Sequence, residues 1–309
     1  YRKASFLAAL ALTVYALRTR EQFYLAAVYL SSSKWAYVIF GNAIVAFLIT
    51  LFDGVCYLFL GGLRLHEAEG LQDFFRWNVT ETCLALSLFR YELSVSVAVQ
   101  CLALITLKCW HHVAAMREQH LRLTQDGVVG DAWPRVRKDH LLLYAFLWAL
   151  QALDLIWLHH SITILMARGV SVQILLAFEC AILVVSAWSH LLLGGIHQLD
   201  SLLHWGHEKE LRWGQRWLHV WKEYKATVTF AVELQAQFIQ FLFYVIFFSI
   251  VMSTIGIPLS LLREVYVSFV QLKQRISAFY SYRVLMAQLN AFETPTEEEL
   301  EEAGATCII

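Results

Sequence analysis

From Phe238 to Ile257 the chain reads FIQFLFYVIFFSIVMSTIGI, with no charged residue. A membrane-crossing helix needs about 20 predominantly apolar residues, and this run has that length and composition. The residues around it, from Thr227 to Arg275, are polar at helical intervals. Glu233, Gln237, Gln240 and Tyr244 follow one another by four, three and four, which places them on one helix face. Beyond a turn at Gly256, Ile257 and Pro258, the residues Glu264, Ser268, Gln271 and Arg275 repeat that spacing. Lipid cannot solvate such stripes: a charge at the bilayer centre costs roughly 2.5–3.5 kcal/mol on the most lenient scale. Polar residues within spans therefore face other helices or a water-filled space. One stripe alone reads as hydrogen-bonding glue between helices. Two stripes on consecutive helices favour the wall of a hydrophilic vestibule.

Composition agrees with a membrane setting. The 309 residues are 59% hydrophobic and 16% charged, with a mean hydropathy of +0.54. Soluble domains carry about 25% charged residues, so the chain reads as an integral membrane protein. Apolar runs broken by turn residues indicate helices rather than barrel strands, and the fold class is all-α. A net charge of −1 gives no basic field for nucleic acid. Cys56, Cys83, Cys101, Cys109, Cys180 and Cys307 are scattered without metal-ligand spacing and read as small buried thiols. The chain begins at Tyr1 and breaks off at Ile309, and is expected to be a piece of a longer protein.

About eight hydrophobic segments can be read: Ala4–Leu17, Trp35–Leu60, Val79–Phe89, Leu93–Trp110, Leu141–Leu158, Val172–Leu193, Phe230–Thr254 and Pro258–Leu272. The third and eighth are weak alone and carry polar residues, so they are placed inside the bundle. Residues 1–273 form the transmembrane domain, and residues 274–309 a cytosolic helix and acidic linker. In that linker Thr294, Pro295 and Glu297 suit a capped helix start.

Loop charges set orientation. The connection from Lys108 to Lys138 and that from His197 to Lys225 are rich in Lys and Arg, while the alternate connections are poor. Both termini and the basic connections are thus expected in the cytosol. Arg18, Arg20 and Lys34 fall on the other side and run against that count. In this orientation Glu81, Glu233, Gln237, Gln240, Gln271 and Arg275 sit towards the cytosol, as in a polar cavity open to that side. Trp213, Trp217, Trp221 and Tyr224 recur at helical spacing between basic residues, which suits a helix at the headgroups or an extension of the seventh span. The pairs His111–His112, His159–His160 and His204–His207 lack Cys or carboxylate partners at ligand spacing and read as packing or interfacial residues. Asn78-Val79-Thr80 matches a glycosylation acceptor, but at the cytosolic entrance of a span it is expected to stay unmodified.

Several stretches together resemble the synoviolin family of membrane-embedded RING ubiquitin ligases of endoplasmic-reticulum-associated degradation. Arg20-Glu21-Gln22-Phe23-Tyr24 with Val28-Tyr29-Leu30 is similar to that family's first luminal loop. Val79 to Ala85 with Phe89-Arg90 resembles its third segment, and Leu107 to His111 the end of its fourth. Arg168 to Gln173, with Phe178 to Leu183, resembles its sixth. Thr294 to Glu298, followed by Cys307-Ile308-Ile309, is similar to the linker and opening of its RING domain.

The resemblance implies a cytosol-open cavity with a lateral gate in the endoplasmic reticulum membrane, forming part of a retrotranslocation channel for misfolded proteins. It implies a derlin-type rhomboid pseudoprotease, a luminal Sel-like-repeat adaptor, a ubiquitin-conjugating enzyme, an AAA ATPase and a second copy of the chain as partners. Cys307 would be the first zinc ligand of the RING. The remaining ligands are not in this sequence, so no zinc is expected on this stretch and no ligase activity from it alone. The residues expected to line the cavity are Glu81, Glu233, Gln237, Gln240, Tyr244, Glu264, Ser268 and Gln271. The alternative is a multi-span small-solute transporter, although no internal repeat is visible. A membrane enzyme using Glu81, Asp154, His159 or Glu179 finds no nucleophile–base spacing, and structural hydrogen bonding is the plainer reading of Asp154 and Glu179.

Overall fold

Hydrocarbon offers no partner to a backbone N–H or C=O, so an apolar chain must satisfy these groups within itself, and the helix does so locally. A computed structural model describes residues 1–20, 22–92, 94–125, 133–169, 171–208, 212–254, 259–289 and Ala291. Among the described residues there are α-helices and one 3-10 turn, and no strand. The helices are α1 (Arg2–Arg20), α2 (Phe23–Ser32), α3 (Lys34–Leu60), α4 (Leu65–Leu88), α5 (Val95–Gln125), α6 (Trp133–Arg168), α7 (Val172–Glu208), α8 (Arg212–Thr254) and α9 (Leu259–Leu289). Among the described residues, five stretches are long and apolar enough to cross a membrane: Lys34–Leu60, Val95–Arg122, His140–Ala167, Val172–Trp205 and Tyr224–Thr254. Helices α1, α4 and α9 fall short by that measure, α4 and α9 because charges interrupt them.

Several helices run further than hydropathy suggests. The basic connection read from Lys108 is helix as far as Gln125. The Trp-rich connection is taken up by the end of α7 and the start of α8. Helix α4 starts at Leu65, well before the apolar run at Val79. The physical reason is pairing: charges that look like loop residues are neutralised by partners on neighbouring helices. Trp221 Nε1 donates to Asp200 Oδ1 at 3.0 Å and Lys225 Nζ to Asp200 Oδ2 at 2.7 Å, which clips α8 to α7 beyond the apolar core. Trp221 thus lies on an extension of the span. The side chains of Trp213 and Trp217 lie outside the described residues, as do Cys307 and the acidic linker.

Glycine ends α3. Gly61 (φ +67°) and Gly62 (φ +103°) turn the chain, and their N–H groups return to the carbonyls of Tyr57 and Cys56 at 3.1 and 3.2 Å. Only a residue without Cβ adopts such angles at little cost. The tight turn brings α4 back beside α5.

The core lies among α5, α6 and α7, where Leu104, Leu143, Phe146, Leu147, Leu150, Leu176 and Cys180 are buried. Helix α8 packs on α7, and α9 packs on α8 with a narrow contact to α4. On the other flank, α1 to α3 approach through small residues, with Ser5, Ala16, Ala26, Ala36 and Ala46 all buried, as expected where close backbone contact replaces a hydrophobic drive. Asn42 Nδ2 donates to Ser5 Oγ at 2.9 Å across this seam. At Gly194, α7 meets Tyr144 of α6 so closely that an added Cβ would overlap the phenol ring. Gly194→Ala should therefore destabilise by about 1–3 kcal/mol through overpacking. A thermal melt of the reconstituted protein checks this, and an unchanged midpoint would contradict it.

Candidate functional site: a charged cavity inside an apolar bundle

Five helices each bring a polar side chain to one enclosed space. Glu81 of α4, Lys108 of α5, Glu179 of α7, Tyr244 of α8 and Glu264 of α9 line a cavity of about 40 Å³, with Ala85, Leu175, Phe178 and Leu261 as its apolar walls. A water needs roughly 10–15 Å³ of such space, so the cavity has room for a few waters and no more. Lys108 Nζ lies 2.7 Å from Glu179 Oε2, with both side chains largely buried. Glu81 and Glu264 line the same space, where two like-charged carboxylates would repel each other. One ammonium, three carboxyls and a phenol thus share a space walled by hydrocarbon. Beyond Tyr244, along α8, Phe247 is buried and stacks on Phe178 at 4.1 Å, which seals that side with aromatic rings.

The sequence placed eight residues on the wall of one cavity, and the structure brings three of them together there: Glu81, Tyr244 and Glu264. Glu233 belongs to a separate ion-pair network. Its Oε2 accepts from Arg275 Nη1 at 2.6 Å, and its Oε1 lies 3.9 Å from Arg122 Nη1. Arg122 Nη2 donates in turn to Glu118 Oε2 at 2.7 Å, which His190 Nδ1 approaches at 3.3 Å. The network ties α5, α7, α8 and α9 together. Gln237 and Gln240 are half-buried on α8, and the Oε1 of Gln237 has no protein partner. Ser268 is half-buried and Gln271 exposed on α9. None of these four lines the charged cavity.

Lys108 and Glu179 line the cavity but belong to neither polar stripe. The signal was present. Lys108 stands in an apolar run ending at Trp110, and Glu179 in another from Val172. A lone cation in one span and a lone anion in another mark a pair. Asp154 and His111 also meet, with Oδ2 and Nε2 2.8 Å apart and both side chains buried between α6 and α5. Asn78 is buried, with its Nδ2 donating to Phe74 O at 3.0 Å, an arrangement with no room for a glycan.

At the end of the bundle where α3 turns into α4, Arg117 joins three elements. Its Nε donates to Glu67 Oε1 at 2.5 Å and its Nη2 to Glu67 Oε2 at 2.7 Å, while Nη1 and Nη2 donate to the carbonyls of Leu60 and Gly62, each at 2.9 Å. Those carbonyls belong to the end of α3, where no helical partner remains. Glu67 Oε2 also accepts the N–H of Arg64 at 2.9 Å, which caps α4. Burial pushes the Glu67 carboxyl up, but the Arg117 guanidinium and the Arg64 N–H outweigh it and hold the group below the usual carboxylate range. This junction sets how α4, and so Glu81, sits against α5, and so Lys108.

Comparison with known proteins bears on this architecture. The family described as "E3 ubiquitin-protein ligase synoviolin-like, TPR repeats" matches residues 1–288. TPR units pair two helices within 34 residues, whereas α5 to α9 are each 31 to 43 residues long. A relative in Schizosaccharomyces pombe, "ERAD-associated E3 ubiquitin-protein ligase hrd1", is 24% identical over 287 residues, which cover 93% of this chain and 39% of the relative. The chain thus spans about two-fifths of the length of that curated relative. With nearly its whole length matched, this chain belongs to the synoviolin-like E3 ubiquitin-protein ligase family.

Proposed function

We propose that this chain is the membrane domain of an endoplasmic-reticulum ubiquitin ligase and forms part of the path by which misfolded proteins reach the cytosol. The observation that carries the reading is the charged cavity. Five helices each bring a polar group to one space inside an apolar bundle, an arrangement that helix packing alone does not require. Family membership supports the ligase, and the relative's name supports its place in endoplasmic-reticulum-associated degradation.

In this reading α1 and α3 to α9 make eight crossings, with α2 at the luminal face. Both termini and the Arg117–Glu67 junction lie at the cytosolic face. At about 40 Å³ the cavity is too small for a polypeptide. Passage in this reading therefore requires α4 and α9 to part or a derlin-type partner to complete the path. The segment after 273 leads to a RING that begins near Cys307 and takes zinc, and there a ubiquitin-conjugating enzyme docks. An AAA ATPase would draw the product out. A small-solute transporter is the second reading, favoured by the enclosed charges alone.

Replacing Glu81 and Glu264 together with leucine tests the proposal, because two apolar side chains fill the space and dry the wall. In the whole protein, client degradation should slow severalfold while the melting midpoint stays near wild type. Undiminished degradation with the fold intact would return the cavity to a purely structural role.

A further inference from the structure

Nearly every buried polar atom in a folded protein has a hydrogen-bond partner, so an orphan marks a place where a second arrangement can compete. The ion-pair network of α5, α7, α8 and α9 holds two orphans on neighbouring turns of α5. Arg122 Nε is a buried donor and Glu118 Oε1 a buried acceptor, each without a protein partner among the described residues. The rest of both side chains is engaged: Arg122 Nη2 donates to Glu118 Oε2 at 2.7 Å, and His190 Nδ1 stands 3.3 Å from the same oxygen. A second carboxylate is close by. Glu233 Oε1 lies 3.9 Å from Arg122 Nη1, outside hydrogen-bond distance, while Glu233 Oε2 accepts from Arg275 Nη1 at 2.6 Å.

One carboxylate thus stands between two guanidiniums in unlike surroundings. The Arg275 side chain is 44% exposed, so water can take over its N–H groups. The buried Nε of Arg122 has no such substitute. An exposed ion pair shifts an equilibrium by a factor of only about two to five, so the hold of Arg275 on Glu233 is weak. Moving onto Arg122 gives Glu233 a guanidinium that can meet it through two N–H groups, and Glu118 keeps His190 in either arrangement. The consequence falls on α9. Beyond Leu272 every described α9 residue is exposed except Phe279, which is half-buried. Two side-chain contacts tie these turns to α8: the Arg275–Glu233 pair and the stack of Phe279 on Phe230, with ring centroids 4.4 Å apart. Phe230 and Glu233 are three residues apart and Arg275 and Phe279 four, so both contacts use one face of each helix. Without the ion pair, a single aromatic stack is left.

We propose that Glu233 is a switch carboxylate: on Arg275 it clasps the exposed turns of α9 to α8, and on Arg122 it releases them. The exchange lies eleven residues from Tyr244 on α8 and eleven from Glu264 on α9, roughly 16 Å at ~1.5 Å per residue. It is therefore separate from the charged cavity, and stands whether or not that cavity conducts clients.

The test measures the distance between spin labels carried by non-natural residues at Gln119 of α5 and Gln288 of α9, both exposed, by double electron–electron resonance on the whole protein in nanodiscs. Wild type should show a major clasped distance and a minor released one. Arg275→Gln should make the released distance the major one. Arg122→Lys keeps a charge beside Glu118 but removes the Nε donor, and should reduce the released population severalfold. Raising salt from about 0.1 to about 1 M shortens the screening length from ~10 to ~3 Å. It acts first on the exposed Arg275 pair, so the released population of wild type should rise. Should either variant fail to fold, this salt series decides alone. A shift in the same direction for both variants, or a wild-type distribution that salt leaves unchanged, would overturn the proposal and leave the network a static brace.

Discussion

Replacing Arg117 with leucine should destabilise the protein by about 3–5 kcal/mol, the usual consequence of removing one partner of a buried ion pair. The effect is large because one side chain serves three acceptors. Without it the Glu67 carboxylate stays buried next to no cation, and the carbonyls of Leu60 and Gly62 lose their donor. Each unsatisfied buried acceptor adds roughly 1–3 kcal/mol. Lysine should rescue only in part, since an ammonium cannot present the guanidinium fork that meets both carboxylate oxygens. The effect should also depend on pH. The folded-state value of Glu67 is depressed, so its stabilisation is present above the unfolded carboxylate value of about 4.3 and is lost as pH falls through the lower folded value. Wild type should therefore melt well above Arg117→Leu near neutrality, and the gap should narrow below about pH 4. A gap that stays constant with pH would show that the pair contributes packing rather than charge.

Lys108→Met should be almost as damaging, for the same reason set deeper in the bundle. Glu179 would face a hydrocarbon-walled space with two more carboxyls nearby and no ammonium. The expected loss is again about 3–5 kcal/mol. The double replacement Lys108→Met with Glu179→Leu distinguishes stability from function. Removing both charges in favour of apolar groups of similar volume is often neutral or stabilising by about 1–4 kcal/mol, so the melting midpoint should recover. Client export should not recover, because a dry wall no longer hydrates a polar chain. Recovery of both would show that the Lys108–Glu179 pair serves folding alone.

These two residues also show where reading the sequence reaches its limit. The all-helical class and the strong spans follow from apolar length, because lipid leaves the backbone one local solution. The end of α5 does not follow from apolar length. Lys108, Arg117 and Arg122 look like loop charges when hydropathy is read residue by residue, yet each has an acidic partner from another part of the fold or from the next helical turn. Pairing is a property of three dimensions, and its trace in sequence is an isolated charge inside an apolar run.

The polar stripe on α8 meets the charged cavity only at Tyr244, for a geometric reason. Glu233 and Tyr244 are eleven residues apart, roughly 16 Å along a helix at ~1.5 Å per residue. A space of about 40 Å³ cannot touch both. Spacing reports which face a residue occupies, while depth along the axis decides which neighbours it meets. Glu233 therefore meets Arg275 and Arg122, and Tyr244 meets the cavity that holds Glu264 and Glu81. The ordering of Glu81, Tyr244 and Glu264 at one depth required the return of α9 beside α4, which local periodicity does not encode.

The most direct measurement is site-specific photo-crosslinking in the whole protein with a client arrested in transit. A photoreactive residue at Tyr244 or Glu81 should capture the client, and one at Leu242, whose side chain is exposed on the outer face of α8, should not. Capture at Leu242 equal to that at Tyr244, or no capture at either cavity position, would contradict the account that clients pass through the charged centre of this bundle.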